Sequence, residues 1–93
     1  MIRWLPRALE NLESELQRVA QVNEAAAKRI AAVVKSRTDN LVHFPDSGRP
    51  GRVPGTRELV IAEFPYIVPY RVRGNVVEIL RFFHTSQKPP KHW

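Results

Sequence analysis

Residues 48–84 read GRPGRVPGTRELVIAEFPYIVPYRVRGNVVEILRFFH. After a Gly/Pro/Arg opening come three apolar, β-branched runs at 59–62, 66–72 and 76–83. Glu63, Phe64 and Pro65 separate the first two runs, and Arg73, Gly74 and Asn75 the last two. Short apolar runs joined by turn-forming residues specify an antiparallel β-meander. Pro69 has no N–H for a ladder, so the second run is expected to bulge there or to face solvent at an edge. In the third run Glu78 and Arg81 are three apart and fall on opposite faces of a regular strand. Arg81 and Phe83 then share a face with Val77 and Ile79, and Glu78, Leu80, Phe82 and His84 share the other.

Upstream, residues 45–54 (PDSGRPGRVP) carry three prolines and two glycines and read as a loop. Ahead of that loop the period changes from two to 3.6. Leu5, Leu9, Leu12, Leu16 and Val19 recur at helical spacing, with Pro6 suited to a first turn. Asn23 reads as the N-cap of a second helix that opens with Glu24 and ends before Pro45. Its inward stripe is Ala26, Ile30, Val33, Val34 and Leu41. Helices of about 17–20 residues are marginal in water alone and need a sheet to cover. Residues 1–4 alternate well enough for a short edge strand. The tail, 85–93, is polar and Pro-rich and is expected to be extended. The order strand, helix, helix, strand, strand, strand specifies an α+β fold: an N-terminal helical hairpin on one face of a small antiparallel sheet.

Ninety-three residues are expected to form one domain, 1–93, with one modest core. The chain has no cysteine, which excludes disulfides and thiolate metal sites. No apolar run approaches the ~18 residues of a membrane helix, and the N-terminus has no signal-peptide pattern. A cytoplasmic protein is expected. The net charge is +6, with seven basic and five acidic residues in 1–44 against eight and four in 45–93. The excess leans towards the sheet and tail and suits an anionic partner, whether nucleic acid or acidic protein.

Motifs for small-molecule chemistry are missing. His43, His84 and His92 have no metal-ligand spacing, GRPGRVPG lacks the Lys-Ser/Thr of a phosphate loop, and no serine sits in a nucleophile context. No cofactor and no metal is expected. What remains is basic: Arg49, Arg52, Arg57, Arg71, Arg81, His84, Lys88 and Lys91. Strand alternation would bring Arg57, Arg71 and Arg81 together from three neighbouring strands if the register allows. Such a cluster binds a phosphodiester or an acidic peptide; the plainer alternative is solvated arginines. His84 either titrates as an acid or base or packs against Phe82.

The segments GRPGRVPGTRELV, PYIVPYRV and VVEILRFFH, with the leading strand and helical hairpin, resemble the RelE/ParE superfamily of bacterial toxins, and its ParE-like branch most. The resemblance implies the toxin of a type II toxin–antitoxin pair, neutralised by an antitoxin whose acidic C-terminal segment wraps it. In that superfamily RelE-like members cut mRNA on the ribosome and ParE-like members inhibit DNA gyrase. Arg57, Arg81 and His84 match positions where RelE-like members keep functional residues, and would be catalytic only in that case. The lysine-rich second strand and C-terminal tyrosine of RelE are absent. The tail HTSQKPPKHW also departs from the ParE-like ending His-Gly/Ala-x-Arg-x-Trp. The resemblance therefore implies gyrase first and ribosome-bound mRNA second, with Arg49, Arg52, Arg71, Lys88 and Lys91 contacting target or antitoxin.

Overall fold

In a computed structural model, which describes residues 1–88 and residue 93, the elements run β1 (Ile2–Trp4), α1 (Pro6–Ala20), α2 (Glu24–Asp39), a 3-10 turn (Asn40–Val42), β2 (Arg49–Pro50), β3 (Arg57–Ile61), β4 (Tyr66–Arg73), β5 (Val76–Ile79) and β6 (Phe83–His84). The spatial order is β1-β5-β4-β3-β2, with β6 pairing β4 beyond the end of β5. The expected α+β class, helices N-terminal and on one sheet face, is the fold that forms. One pairing differs from the antiparallel expectation. β1 lies parallel to β5, with Ile2 opposite Val77 and Trp4 opposite Ile79, so the sheet is mixed. Helices of 15 and 16 residues intervene between β1 and the meander, and a long crossover of this kind lets two strands run the same way.

Turn chemistry sets the meander. β4 and β5 meet at Gly74 and Asn75, with Gly74 at φ +58°, as a two-residue type II′ hairpin requires. Val53 to Thr56 is a type II turn: Pro54 at its first central position, Gly55 at φ +83° and Thr56 N–H donating to Val53 O at 3.2 Å. The 45–54 segment is thus not all loop, because β2 pairs with β3 within it.

Asn23 caps α2 as expected, its Oδ1 accepting from Ala26 N–H at 3.0 Å. The buried stripe of α2 is Ala27, Ile30, Val34 and Thr38, with Leu41 buried in the 3-10 turn; Ile30, Val34 and Leu41 are buried as expected, while Ala26 and Val33 are half-buried. On α1 Ala8 is fully buried and Leu12, Leu16 and Val19 pack beside the core, while Leu9 stays 43% exposed. The helices cover the sheet face of Ile61, Tyr66, Val68, Tyr70, Val77 and Ile79.

Pro69 stands buried in the central strand rather than at an edge. Its carbonyl accepts from Leu80 N–H at 2.9 Å, so its missing donor faces the same side, where the ladder breaks between β5 and β6. The register shows that break as one extra residue: Tyr70 is opposite Ile79, but Ile67 is opposite Phe83. A bulge at residues 80–82 reverses the parity of everything after it. Phe82 therefore joins Val77 and Ile79 in the helix-side core, 4.8 Å ring to ring from Tyr66, and Phe83 turns to the far face. The expected grouping of Phe83 with Val77 and Ile79 is corrected by this one residue.

Candidate functional site

Arg57, Arg71 and Arg81 do not converge. Arg57 is opposite Tyr70, on the helix side of the sheet. Its Nη1 donates to Gly48 O at 2.9 Å and Asp46 O at 3.2 Å, so it holds the loop before β2. Arg71 is one residue further along β4 and faces the opposite side, where its Nε donates to Glu78 Oε1 at 2.7 Å. Arg81 sits in the bulge, and its Nε donates to Asn11 Oδ1 on α1 at 3.1 Å. The expected convergence fails because adjacent positions on β4 alternate faces and the bulge displaces the third arginine.

The far face of the sheet carries two carboxylates, each gripped by two arginines. Glu58, with its side chain 2% exposed, accepts from Arg49 Nη2 at 3.0 Å and from Arg52 N–H at 3.1 Å, with Arg52 Nε 3.4 Å away. Glu78 accepts from Arg71 and lies 3.6 Å from Arg73 Nε. Arg49, Arg52 and Arg71, expected to contact a partner, are thus first of all paired within the fold. Arg52 also lies over the Phe83 ring, 5.8 Å from its centroid, and Phe83 stacks on Trp93 at 5.9 Å. Lys88 is exposed; Lys91 lies outside the described residues.

The second polar cluster is one the sequence reading missed. Glu15 on α1 accepts from Tyr66 Oη at 2.6 Å and takes Arg18 in a two-point bond of 2.9 and 2.7 Å. Beside it, Asn11, Ser14, Phe82, Phe83, His84 and Gln87 complete the lining of a cleft of about 270 Å³. The signal was weak but present: Glu15 is seven residues after buried Ala8, so it lies near the same helix face. The His84 ring meets Tyr66 edge-on at 5.6 Å. Its Nδ1 accepts from Ser86 N–H at 3.0 Å, with Ser86 Oγ 2.7 Å away. That bond makes Nδ1 an acceptor and ties the ring to the turn.

The Arg18 bond holds the Glu15 carboxyl below its ordinary value of 4.5, against the opposing effect of burial. Arg71 does the same for Glu78. Both carboxylates bind their proton less readily folded than unfolded, so their contribution is complete above about pH 4.5 and is lost as the pH falls through the folded values. Glu15→Gln should lower the melting temperature at neutral pH and flatten its decline below pH 4.5. Melting curves of both proteins between about pH 3 and 7 check this; an unchanged acid limb would show that Glu15 is not held as an ion.

A third feature is apolar. Ile2, Trp4, Leu9, Leu12, Ala31 and Val34, together with Lys35, Thr38 and Asp39, line a groove of about 300 Å³ between the free edge of β1 and the helical hairpin. Among the described residues no group of three or more His, Asp or Glu is placed to hold a metal, and no helix is long and apolar enough to cross a membrane.

Two N-terminal helices across one face of a mixed sheet, an Arg-rich hairpin feeding it and a polar cleft where the last strand meets α1 define a toxin of the RelE/ParE superfamily. Within it, the chain belongs to the ParE toxin family of type II toxin–antitoxin systems, parDE, whose sequence model spans residues 2–89. It is similar to the candidate toxin Y4kP of Sinorhizobium fredii, 43% identical over 97% of this chain and 93% of the relative. It is also similar to toxin RelE2 of Caulobacter vibrioides, 33% identical over 90% of this chain and 93% of the relative. Among solved structures it is similar to the chromosomal ParDE system of P. aeruginosa: TM-score 0.81, 25% identity, 91% of this chain and 95% of that one.

Proposed function

We propose that this toxin arrests growth in the cytoplasm by binding DNA gyrase, and that its antitoxin prevents this by occupying the apolar groove beside β1. The observation that carries the gyrase reading is the separation of Arg57 from His84. Arg57 and His84 pair with residues four apart on β4, Tyr70 and Tyr66, a separation of about 13 Å along the strand. Arg57 is engaged by loop carbonyls, and the His84 Nδ1 by Ser86. The Ser86 N–H already occupies Nδ1, so a general-base role at that nitrogen works against the local fold. As scaffold and contact residues, both fit a protein that works by binding.

The alternative is a ribosome-dependent mRNA endoribonuclease. What favours it is the cleft beside the His84 ring, where Asn11, Ser14, Glu15, Arg18 and Gln87 supply polar groups. The readings separate when the chain is expressed without its antitoxin. A DNA-damage response with intact transcripts supports gyrase; in-frame mRNA cleavage without that response overturns it.

A further inference from the structure

The sheet face turned away from the helices is strongly positive. Arg3 on β1 and Arg71 on β4 lie directly opposite Glu78 on its two sides, and Arg73 is two residues further along β4. Arg49 is opposite Glu58, and Arg52 reaches it from the loop. Five arginines thus meet two carboxylates among the described residues, and three positive charges are left over. The excess is greatest around Glu78. Arg71 gives that carboxylate its Nε, Arg73 stays 3.6 Å from it, and Arg3 makes no hydrogen bond or ion pair among the described residues. The Glu78 carboxyl is held below its ordinary value by the Arg71 bond first, against burial, and then by Arg73 and Arg3 through space. One buried carboxylate therefore gathers three guanidinium groups and neutralises one. The Arg73 side chain is 67% exposed, and Arg3 is exposed too. The apolar side chains between the two arginine groups, Ile67, Pro69 and Leu80, are buried.

We propose that this face binds the phosphate backbone of duplex DNA without regard to sequence, with Arg3, Arg71 and Arg73 as its main contacts. Guanidinium donors suit phosphate oxygens, and backbone contacts need charge in the right places rather than a pocket. From β1 to β2 the sheet is four strand spacings wide, about 19 Å, so its arginines extend along roughly half a turn of B-DNA. An acidic peptide fits less well, because peptide interfaces centre on apolar or aromatic anchors in desolvated pockets. The cavity of about 420 Å³ that Leu5, Val53, Leu80 and Trp93 help to line opens at Arg71 but not at Arg3 or Arg73, which lie towards the Gly74 turn. The groove beside Ile2 and Trp4 is on the other side of β1. The proposal goes beyond the gyrase reading and does not need it, since the toxin alone makes the contact. With gyrase as the target, the same face would meet the DNA that gyrase holds.

The test is binding of the purified full chain to a fluorescent mixed-sequence duplex of about 20 bp, followed by anisotropy from about 25 to 200 mM salt, after each variant's melting temperature is checked. The wild type should bind with a Kd of about 10⁻⁶–10⁻⁴ M, and log K should fall linearly with log[salt] at a slope of about −3, as three phosphate contacts require. Arg3→Gln and Arg73→Gln, both exposed, should each weaken binding about threefold or more and reduce the slope by about one, and the double variant should add the two effects. Lys28→Gln removes the same charge from an exposed position on α2 and should change binding less than about twofold. A wild type that does not bind overturns the proposal, and so does binding that Lys28→Gln weakens as much as the arginine variants do. Tighter binding to single-stranded RNA of the same length makes the ligand RNA and overturns it. DNA binding unchanged in the arginine variants, with antitoxin binding weakened, makes the face the antitoxin's and overturns it as well. The gyrase reading fails separately: a wild type that binds the duplex through these arginines and leaves supercoiling untouched overturns that reading and supports this one.

Discussion

Tyr70→Ala will destabilise the fold by about 3–5 kcal/mol, the usual range for removing a large ring from a packed core. Tyr70 is fully buried under the helices at the centre of β4. Its hydroxyl does a second task, donating to Pro45 O at 2.7 Å and accepting from Gly48 N–H at 2.9 Å. Tyr70→Phe keeps the ring and orphans that N–H, so it should cost about 1–3 kcal/mol. A Cβ on Gly48 would lie 2.6 Å from both Cε1 and Oη of Tyr70 and 3.0 Å from Glu58 O. Gly48→Ala is therefore destabilising in the wild type and much less so in a Tyr70→Ala background, where the ring that obstructs it is gone. Urea unfolding of the two singles and the double measures that coupling. Additive effects would mean that the loop does not rest on the ring.

Leu9→Glu will weaken antitoxin binding by about 100-fold while leaving the melting temperature nearly unchanged. Leu9 is 43% exposed and lines the groove with Ile2, Trp4 and Leu12. Unbound, the new carboxylate stays in water, and exposed substitutions of this kind usually stay within about ±0.5 kcal/mol. In the complex it would be buried against Ile2, Trp4 and Leu12, while Lys35, the cation of the lining, is already bonded to Asp39, and such burial costs several kcal/mol. Calorimetric titration of wild type and variant gives the ratio. Unchanged affinity would place the antitoxin on another surface.

The features legible in the sequence were the local ones. Asn23 announced its cap, Leu12, Leu16 and Val19 their helix, and Gly74 and Asn75 their hairpin. The superfamily was carried by the segments at 48–60, 65–72 and 76–84. What escaped was non-local. Nothing in Ile2, Arg3 and Trp4 says that their partner is β5 or that it runs parallel. The run 76–83 is apolar throughout, so a one-residue bulge leaves no mark on its pattern while moving Phe82 and Phe83 to opposite faces. Glu58 and Glu78 read as isolated strand charges, yet each binds two arginines, and Arg49, Arg52 and Arg71 among them had been expected to contact a partner. Pro69 did point to an irregularity, which lies opposite it, between β5 and β6, rather than in its own strand.

The central claim is that toxicity comes from binding gyrase and not from acid–base cleavage of RNA. It is tested most directly by His84→Gln, which keeps size and polarity but cannot titrate. Purified wild-type and variant toxins are compared in a gyrase supercoiling assay and in a translating extract with an mRNA cleavage readout. If gyrase is the target, both proteins inhibit supercoiling to within a few-fold and neither cuts mRNA. A wild type that cleaves mRNA, with a folded His84→Gln slower by about 10²–10⁴, would contradict it and make this chain an enzyme.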